Sequence, residues 1–284
     1  MAAMGAALKV QSVEDRRNFE ALSRYIYDYS GIKMPVTKIT MLEGRLRRRL
    51  RATGIGTLDA YCDYLFKNNG LATESTYLID AVTTNKTDFF REPKHFEYMQ
   101  QVAMPDMVKA GHTRLRFWSS ACSTGAEPYT MAMVLQEFAG SVRELDYRIL
   151  ATDLSTDVLE IAKRGIYPRD MILSAVPQTL QQKYVMVPRD RARADLRISP
   201  RLRAKVGFAR MNLMDDAYPV GDPMHMIFCR NVLIYFDKQT QAKVLSRLCD
   251  CLLPGGYLFV GHSESVTGIT LPVKQVANTV FRKV

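Results

Sequence analysis

The apolar positions change period near residue 80. Before it they recur at three- and four-residue spacing, the repeat of an amphipathic helix. Glu14 to Tyr29 reads as one such helix, ended by Gly31, which takes the left-handed turn of a helix terminus at little cost. Thr37 is placed to cap a second helix that runs to Ala52 and stops at Gly54. In that helix Leu42, Leu46 and Leu50 share one stripe, while Arg45, Arg47, Arg48, Arg49 and Arg51 fan across the other faces. Thr57 caps a third helix, to Asn68. No alternating strand pattern interrupts this region, so residues 1–80 are expected to form a small all-helical N-terminal domain. Residues 81–110 are expected to link it to the rest of the chain. Within them Thr83 to Pro93 is polar, then aromatic, then charged. Phe89 and Phe90 should be anchored, holding Arg91 beside whatever they pack against. Pro93 starts a helix through Met99, and another leads to Ala110.

From residue 111 to 284 short apolar runs alternate with helical patterns, the signature of an α/β sheet. Strands are expected at Arg114–Trp118, Tyr147–Asp153, Met224–Cys229 and Tyr257–Gly261. Helices are expected over Tyr129–Ala139, with Pro128 in the first turn, over Ser155–Lys163 and over Lys238–Leu252, the last broken by Pro254-Gly255-Gly256. Pro168 to Tyr184 is helical in pieces. After it the arginine-rich stretch 183–210 reads as a small β subdomain inserted into the sheet domain. Its strands would be Leu196-Arg197-Ile198 and Val206 to Ala209. Two extended runs, Pro272–Val276 and Thr279–Arg282, predict a closing hairpin.

Composition narrows the class. The 284 residues are 47% hydrophobic, enough for a substantial core. No run of 18 apolar residues provides a membrane span, and Met1 to Val10 is too short and too weakly apolar for a secretory signal. Five cysteines without metal spacing read as reduced thiols of a cytoplasmic protein. The net charge of +10 is localised. Lys38 to Arg51 holds six bases against one acid, and Lys183 to Arg210 nine against two. Two basic patches on a near-neutral body imply acidic partners.

The candidate chemistry starts after the first predicted strand. Ser119-Ser120-Ala121-Cys122-Ser123-Thr124-Gly125-Ala126 is composed of small residues, so a ligand can approach the backbone. Gly125 is its single glycine, which excludes the dinucleotide fingerprint and, with no Walker lysine, a phosphate cradle. The next strand ends in Asp153, 28 residues after Gly125. An acid there accepts hydrogen bonds from two ribose hydroxyls, or else it or Ser155 caps the following helix. Loop, strand and acid together point to a nucleoside without a pyrophosphate, which fits S-adenosylmethionine.

Several longer stretches resemble the chemoreceptor glutamate methyltransferases of bacterial chemotaxis, the CheR family. They are Thr84-Asn85-Lys86-Thr87-Asp88-Phe89-Phe90-Arg91-Glu92; Ala121 to Tyr129; Ala151-Thr152-Asp153; Asn212-Leu213; and Phe228-Cys229-Arg230-Asn231-Val232-Leu233-Ile234-Tyr235-Phe236. The resemblance spans nearly the whole chain. It implies a class I S-adenosylmethionine-dependent methyltransferase (Rossmann-like) sheet, a helical N-terminal domain and an inserted antiparallel β subdomain. It implies a cofactor site at Asn85, Thr87, Arg91, Glu127, Asp153, Asn212, Leu213, Asn231 and Val232, with S-adenosylhomocysteine as product. Arg91 would hold the substrate carboxylate or the cofactor's methionyl end. Tyr235 would orient the same oxygen, or pack beside Phe236. Glu127 would receive the methionyl ammonium, or form a capping box with Thr124.

The implied partners are methyl-accepting chemotaxis receptors, whose methylated helices are acidic, so Arg45, Arg48 and Arg51 are candidate receptor contacts. Some members also dock a receptor C-terminal peptide on a glycine-rich loop of the β subdomain. Here the corresponding Val187 to Asp195 has no glycine. A nucleic-acid methyltransferase is the competing class, since basic patches suit phosphates. Against it, Arg230-Asn231-Val232-Leu233 stands where Asn/Asp-Pro-Pro-Tyr would follow the fourth strand. No proline precedes Cys229, so that residue is read as a core thiol. A non-catalytic cofactor-binding adaptor is the third reading. Metal ligation is not implied.

Overall fold

In the computed structural model, described over residues 13–190 and 193–284, the chain divides into two compact units, Met1–Thr83 and Thr84–Val284. Met1 to Val10, the segment too weakly apolar for a secretory signal, and Arg191 and Ala192 of the glycine-free stretch lie outside the described residues.

The first unit is helical: α1 (Val13–Ser30), α2 (Ile39–Thr53), α3 (Leu58–Lys67) and α4 (Leu71–Val82). Leu42 and Leu46 of the α2 stripe are buried and Leu50 is half-buried. Gly54 ends α2 at φ +72°, a conformation that favours glycine. Thr57 caps α3 by accepting from the Ala60 amide. Thr37 does not cap α2. A single 3-10 turn, Val36–Lys38, takes up that position, and Lys38 leads into the helix with no side-chain cap. Arg49 of α2 reaches the buried Glu74 of α4 with two parallel bonds, Nη2 to Oε1 at 2.7 Å, while the Tyr61 hydroxyl donates to the same carboxylate at 3.0 Å. The Arg49 guanidinium lies 4.0 Å from the centre of the Tyr77 ring.

The second unit opens with α5 (Lys94–Tyr98), a π turn (Met99–Ala103) and α6 (Met104–Lys109). Then come β1 (Arg114–Ser119), α7 (Ala126–Ser141), β2 (Asp146–Asp153), α8 (Thr156–Arg164), β3 (Ile166–Pro168), α9 (Arg169–Leu173), α10 (Gln178–Tyr184), β4 (Val185–Met186), β5 (Asp195–Ile198), α11 (Pro200–Arg203) and β6 (Val206–Arg210). The unit closes with β7 (Met224–Cys229), α12 (Lys238–Asp250), β8 (Leu252–Val260), β9 (Val273–Ala277) and β10 (Val280–Lys283). Seven strands form one sheet in the order β6-β2-β1-β7-β8-β10-β9. The first five are parallel, and the β9–β10 hairpin is added antiparallel at the β8 edge. Along the strands alternate residues face opposite layers. Phe117, Ile149, Phe228 and Phe259 face one core, while Trp118, Ile227 and Leu258 face another that includes Val244, Leu245 and Leu248 of α12.

Two boundaries differ from the sequence reading. Val206–Arg210 is not part of the inserted sheet; it pairs in parallel with β2 at the edge of the large one. The small antiparallel sheet takes its third strand from Ile166–Pro168 instead, in the order β3-β5-β4. A strand of three to five residues carries no mark of which sheet it joins, because pairing is decided by distant residues. Pro254-Gly255-Gly256 also does not delay the last parallel strand, since β8 already begins at Leu252. Among the described residues no helix is long and apolar enough to cross a membrane. All five cysteines are free, and Cys229 is buried with its thiol pKa pushed up by desolvation.

Candidate active site

Strand order reverses between β1 and β7, and the crevice outside the carboxyl ends of these strands is where open α/β sheets bind ligands. The small-residue loop after β1 lies there. Its Ser120 amide and hydroxyl both donate to the Phe228 carbonyl, at 2.9 and 3.0 Å, closing the loop over the reversal point.

Asp153 ends β2 beside this loop. Its Oδ2 accepts from the Ser123 amide at 2.8 Å and its Oδ1 from the Ser155 amide at 3.0 Å. Two backbone donors thus aim one half-buried carboxylate. Ser155, at the N-cap of α8, makes no side-chain cap bond; its own amide is the one that Asp153 Oδ1 accepts from. The Ser123 hydroxyl donates to the Asn85 carbonyl at 2.8 Å, tying the Thr84–Glu92 segment to the same loop. The Met211 amide donates to the Asp153 carbonyl at 3.0 Å, which brings the following Asn212 and Leu213 to this end of the sheet. Asn212 Oδ1 accepts from the Met214 amide, and Leu213 is buried.

Phe89 is buried edge-on to Tyr167, with ring centres 5.0 Å apart. The Phe90 amide donates to Thr130 Oγ1 on α7. These two anchors fix Arg91, which is half-buried and donates from Nη1 to the Lys86 carbonyl at 3.1 Å. Thr87 is half-buried in the loop between them.

The centre of the site is a residue that received no role from the sequence. Arg230, 5% exposed, donates to Glu127 Oε2 and to Glu92 Oε2, each at 3.0 Å, and also to the Arg91 carbonyl. It lies over the Phe96 and Phe228 rings. Glu127 takes a further bond from the Ser119 hydroxyl at 2.7 Å. It does not form a capping box with Thr124: Gly125, at φ +91°, holds the cap position of α7 without a side-chain bond. Burial raises the Glu127 pKa against the opposing pull of Arg230. Burial pushes Glu92 upward too. Asn231 Nδ2 at 3.1 Å, the Arg230 charge and the His262 amide outweigh it, so its pKa is lowered.

Asn231 and Val232 are held from behind by Glu264, 6% exposed, which accepts from the amides of Asn231, Leu233 and Gly261 at 2.6–2.9 Å. Gly261 admits no side chain, because a Cβ would stand 2.7 Å from Asn231 Nδ2. Tyr235 closes a 3-10 turn and is half-buried against the second core, beside Phe236. Four non-glycine residues here have left-handed backbones: Phe90 (φ +52°), Glu92 (+56°), Ser123 (+49°) and Asn231 (+58°). Such clustering of strain is typical of sites where geometry is imposed by function.

The fold therefore gathers Asn85, Ser123 and Asp153 at one end, and Arg91, Glu127 and Asn231 around Arg230 at the other. Arg45, Arg48 and Arg51 belong to the helical unit. Arg48 and Arg51 are exposed, but Arg45 donates to the carbonyls of Val82 and Thr83. The signal for Arg230 was available: a lone arginine directly following a strand buried at every position is rare unless paired. Glu264 gave no such signal, since it sits in a polar run, Gly261-His262-Ser263-Glu264-Ser265.

Comparison with known proteins follows the same division. The family described as "CheR methyltransferase, all-alpha domain" matches residues 17–83, and "CheR methyltransferase, SAM binding domain" matches residues 85–282. The chain is 35% identical over 266 residues to chemotaxis protein methyltransferase 2 of Pseudomonas aeruginosa, covering 94% of this chain and 92% of that one. It is 36% identical over 252 residues to the chemotaxis protein methyltransferase of Borreliella burgdorferi, covering 87% of each. To that of Escherichia coli it is 38% identical over 248 residues, covering 87% of this chain and 84% of the relative.

Proposed function

The chain belongs to the CheR methyltransferase family, which makes it an S-adenosylmethionine-dependent methyltransferase, and from that premise we propose that it methylates chemoreceptors by forming methyl esters on glutamate side chains. The observation that carries this reading is the pairing of an amide-aimed acid, Asp153, with a second polar centre at Arg91, Glu127 and Arg230 along the same sheet end. Five free thiols suit the reducing cytoplasm, where we place the reaction.

The donor set fits S-adenosylmethionine. Asp153 would take the ribose hydroxyls, Glu127 the methionyl ammonium, and Arg91 either the methionyl carboxylate or the acceptor carboxylate. Asn85, Thr87, Asn212, Leu213, Asn231 and Val232 would line the remaining surface. When bound, the cofactor supplies an electrophilic methyl group on its sulfonium. The acceptor glutamate, with a reference pKa of about 4.3, is already ionised at neutral pH and needs no catalytic base. The work left to the chain is alignment and removal of water. Arg91 offers a planar fork suited to a carboxylate, and Tyr235 a hydroxyl that orients the same oxygen. Too tight a grip would blunt the nucleophile, so these groups position it rather than neutralise it. Arg48 and Arg51 of α2 would meet the acidic receptor helices.

The test is transfer of labelled methyl from S-adenosylmethionine to receptor-containing membranes. Alkali should release the label as methanol, as a carboxyl ester requires. Alkali-stable label on the acceptor, or label on nucleic acid alone, rejects the glutamate ester.

A further inference from the structure

His95 on α5 is 2% exposed, and its two ring nitrogens meet opposite surroundings. Nε2 lies 2.8 Å from Thr279 Oγ1. That hydroxyl also lies 2.8 Å from the Asn278 carbonyl, and when it donates there its oxygen accepts from the ring, so that Nε2 carries the ring hydrogen. Nδ1 of the neutral ring is then a bare lone pair. It is buried without a hydrogen-bond partner and faces Glu92 Oε2 at 3.5 Å. In that tautomer two acceptors confront each other inside the protein, and a further proton between them would charge a buried ring close to Arg230. A third donor shares the spot. The His262 ring stands edge-on to His95, with centres 4.8 Å apart, and the three ligand atoms of Glu92, His95 and His262 lie within 4.8 Å of one another.

We propose that Glu92, His95 and His262 form a binding site for a divalent transition ion of the Zn2+ class. Two imidazoles and one carboxylate, with an open fourth position, are a set that Zn2+ takes. The surroundings fit as well. Metal-bound imidazoles pass their other N–H to a fixed acceptor, the part Thr279 plays, and ligating carboxylates are themselves hydrogen-bonded, as Asn231 and the His262 amide do for Glu92. Arg230 does not cancel the site, because it is shared between Glu92 and Glu127. With its guanidinium divided between two acids, Arg230 does not fully neutralise Glu92. The ion would draw on the Glu92 oxygen that Arg230 holds, so occupancy and the arrangement around Arg230 are coupled.

Titrating chelator-treated protein with Co2+ tests this directly. A single equivalent should give visible d–d bands without the near-ultraviolet thiolate charge-transfer band that cysteine ligation produces, and Zn2+ should bleach them. His262→Ala, at an exposed position, should weaken binding by at least about tenfold, and His95→Gln should remove the buried ligand. The proposal is overturned if the wild-type protein binds no Co2+, if thiolate charge transfer appears, or if folded His262→Ala binds as well as wild type.

Discussion

Each unit of this chain buries an arginine–carboxylate centre, and the two are built differently. In the helical unit Arg49 meets one acid, Glu74, through two parallel bonds, with Tyr61 and Tyr77 completing the surroundings. One positive charge meets one negative charge within regular helix. In the sheet unit Arg230 meets two acids, Glu92 and Glu127, and four nearby backbones are held left-handed. The buried Arg230 Nε and His95 Nδ1 have no hydrogen-bond partner. A closed, balanced centre contributes stability, whereas an open, unbalanced one carries strain and unmet polar atoms. The second kind is where ligands should be sought.

The sharpest way to break this contrast is to remove the cation from the balanced centre. Arg49→Met leaves Glu74, 3% exposed, as an unpaired buried charge. The expected cost is about 3 kcal/mol or more, read from denaturant melts. S-adenosylhomocysteine affinity of the folded variant should stay at the wild-type value. A melt that hardly moves, or a loss of affinity at full stability, would show that the Arg49 pair is not the structural one.

Acid separates the units next. All four histidines, at 95, 112, 225 and 262, lie in the sheet unit. Desolvation, reinforced by Arg230, lowers the His95 pKa to about 3. Desolvation, with His112 and Arg116 adding to it, lowers that of His225 to about 4. His225 Nδ1 accepts from the Arg116 amide at 3.1 Å, a bond that a proton there would break. Both folded values lie below the ordinary 6.5, so the unfolded chain takes up the protons first as pH falls. Stability is complete above about pH 6.5 and declines until the folded pKa values are reached. At pH 5 the loss is about 2 kcal/mol per histidine. Hydrogen exchange at pH 7 and pH 5 should show the sheet unit loosening while the helical unit holds. Equal loosening of both would mean that carboxylates, not these imidazoles, govern the response.

The same contrast explains what the sequence made legible. Helices α1 to α3, the parallel strands other than β6 and the closing hairpin announce themselves mainly through local period, and α3 through its Thr57 cap as well. Asp153 is legible because its place follows from strand length and a small-residue loop. Arg230 is not, because its meaning depends on Glu92 and Glu127, 138 and 103 residues away in sequence. Glu264 serves the backbone of Asn231 and Leu233, and backbone amides leave no trace in a sequence. The edge strand β6 is legible as a strand but not as part of the large sheet for a related reason, since its partner β2 is 57 residues earlier in register. Arg45 looked like its neighbours on α2, yet its guanidinium is spent on the Val82 and Thr83 carbonyls.

Within the open centre, the amide-aimed acid gives the next measurable effect. Asp153→Ala should weaken binding of S-adenosylmethionine and S-adenosylhomocysteine by about 1–3 kcal/mol, the cost of leaving buried polar partners unsatisfied. Calorimetry that finds unchanged affinity in a folded variant would remove Asp153 from the site.

The smallest effect per residue belongs to α2, because this one helix divides its arginines between the two uses of charge. Arg49 is committed to Glu74 and Arg45 to backbone carbonyls, while Arg48 and Arg51 remain exposed. An exposed ion pair contributes about 0–1 kcal/mol, so neither exposed arginine should be decisive alone. Acting together they add to encounter rate and register with an acidic helix. A combined Arg48→Glu and Arg51→Glu variant should therefore keep its melting behaviour and cofactor affinity and raise the apparent Michaelis constant for receptor. Added salt should weaken wild-type turnover at low receptor concentration as the Debye length shortens, from about 10 Å at 0.1 M to about 3 Å at 1 M. Arg45→Glu should do the reverse, costing stability through the lost carbonyl bonds with little change in salt dependence. If the double variant methylates receptor normally at every salt concentration, the exposed arginines of α2 are a solvated face, and the exposed Arg189, Arg197 and Arg201 in and around the β3-β5-β4 sheet become the better candidates for receptor contact.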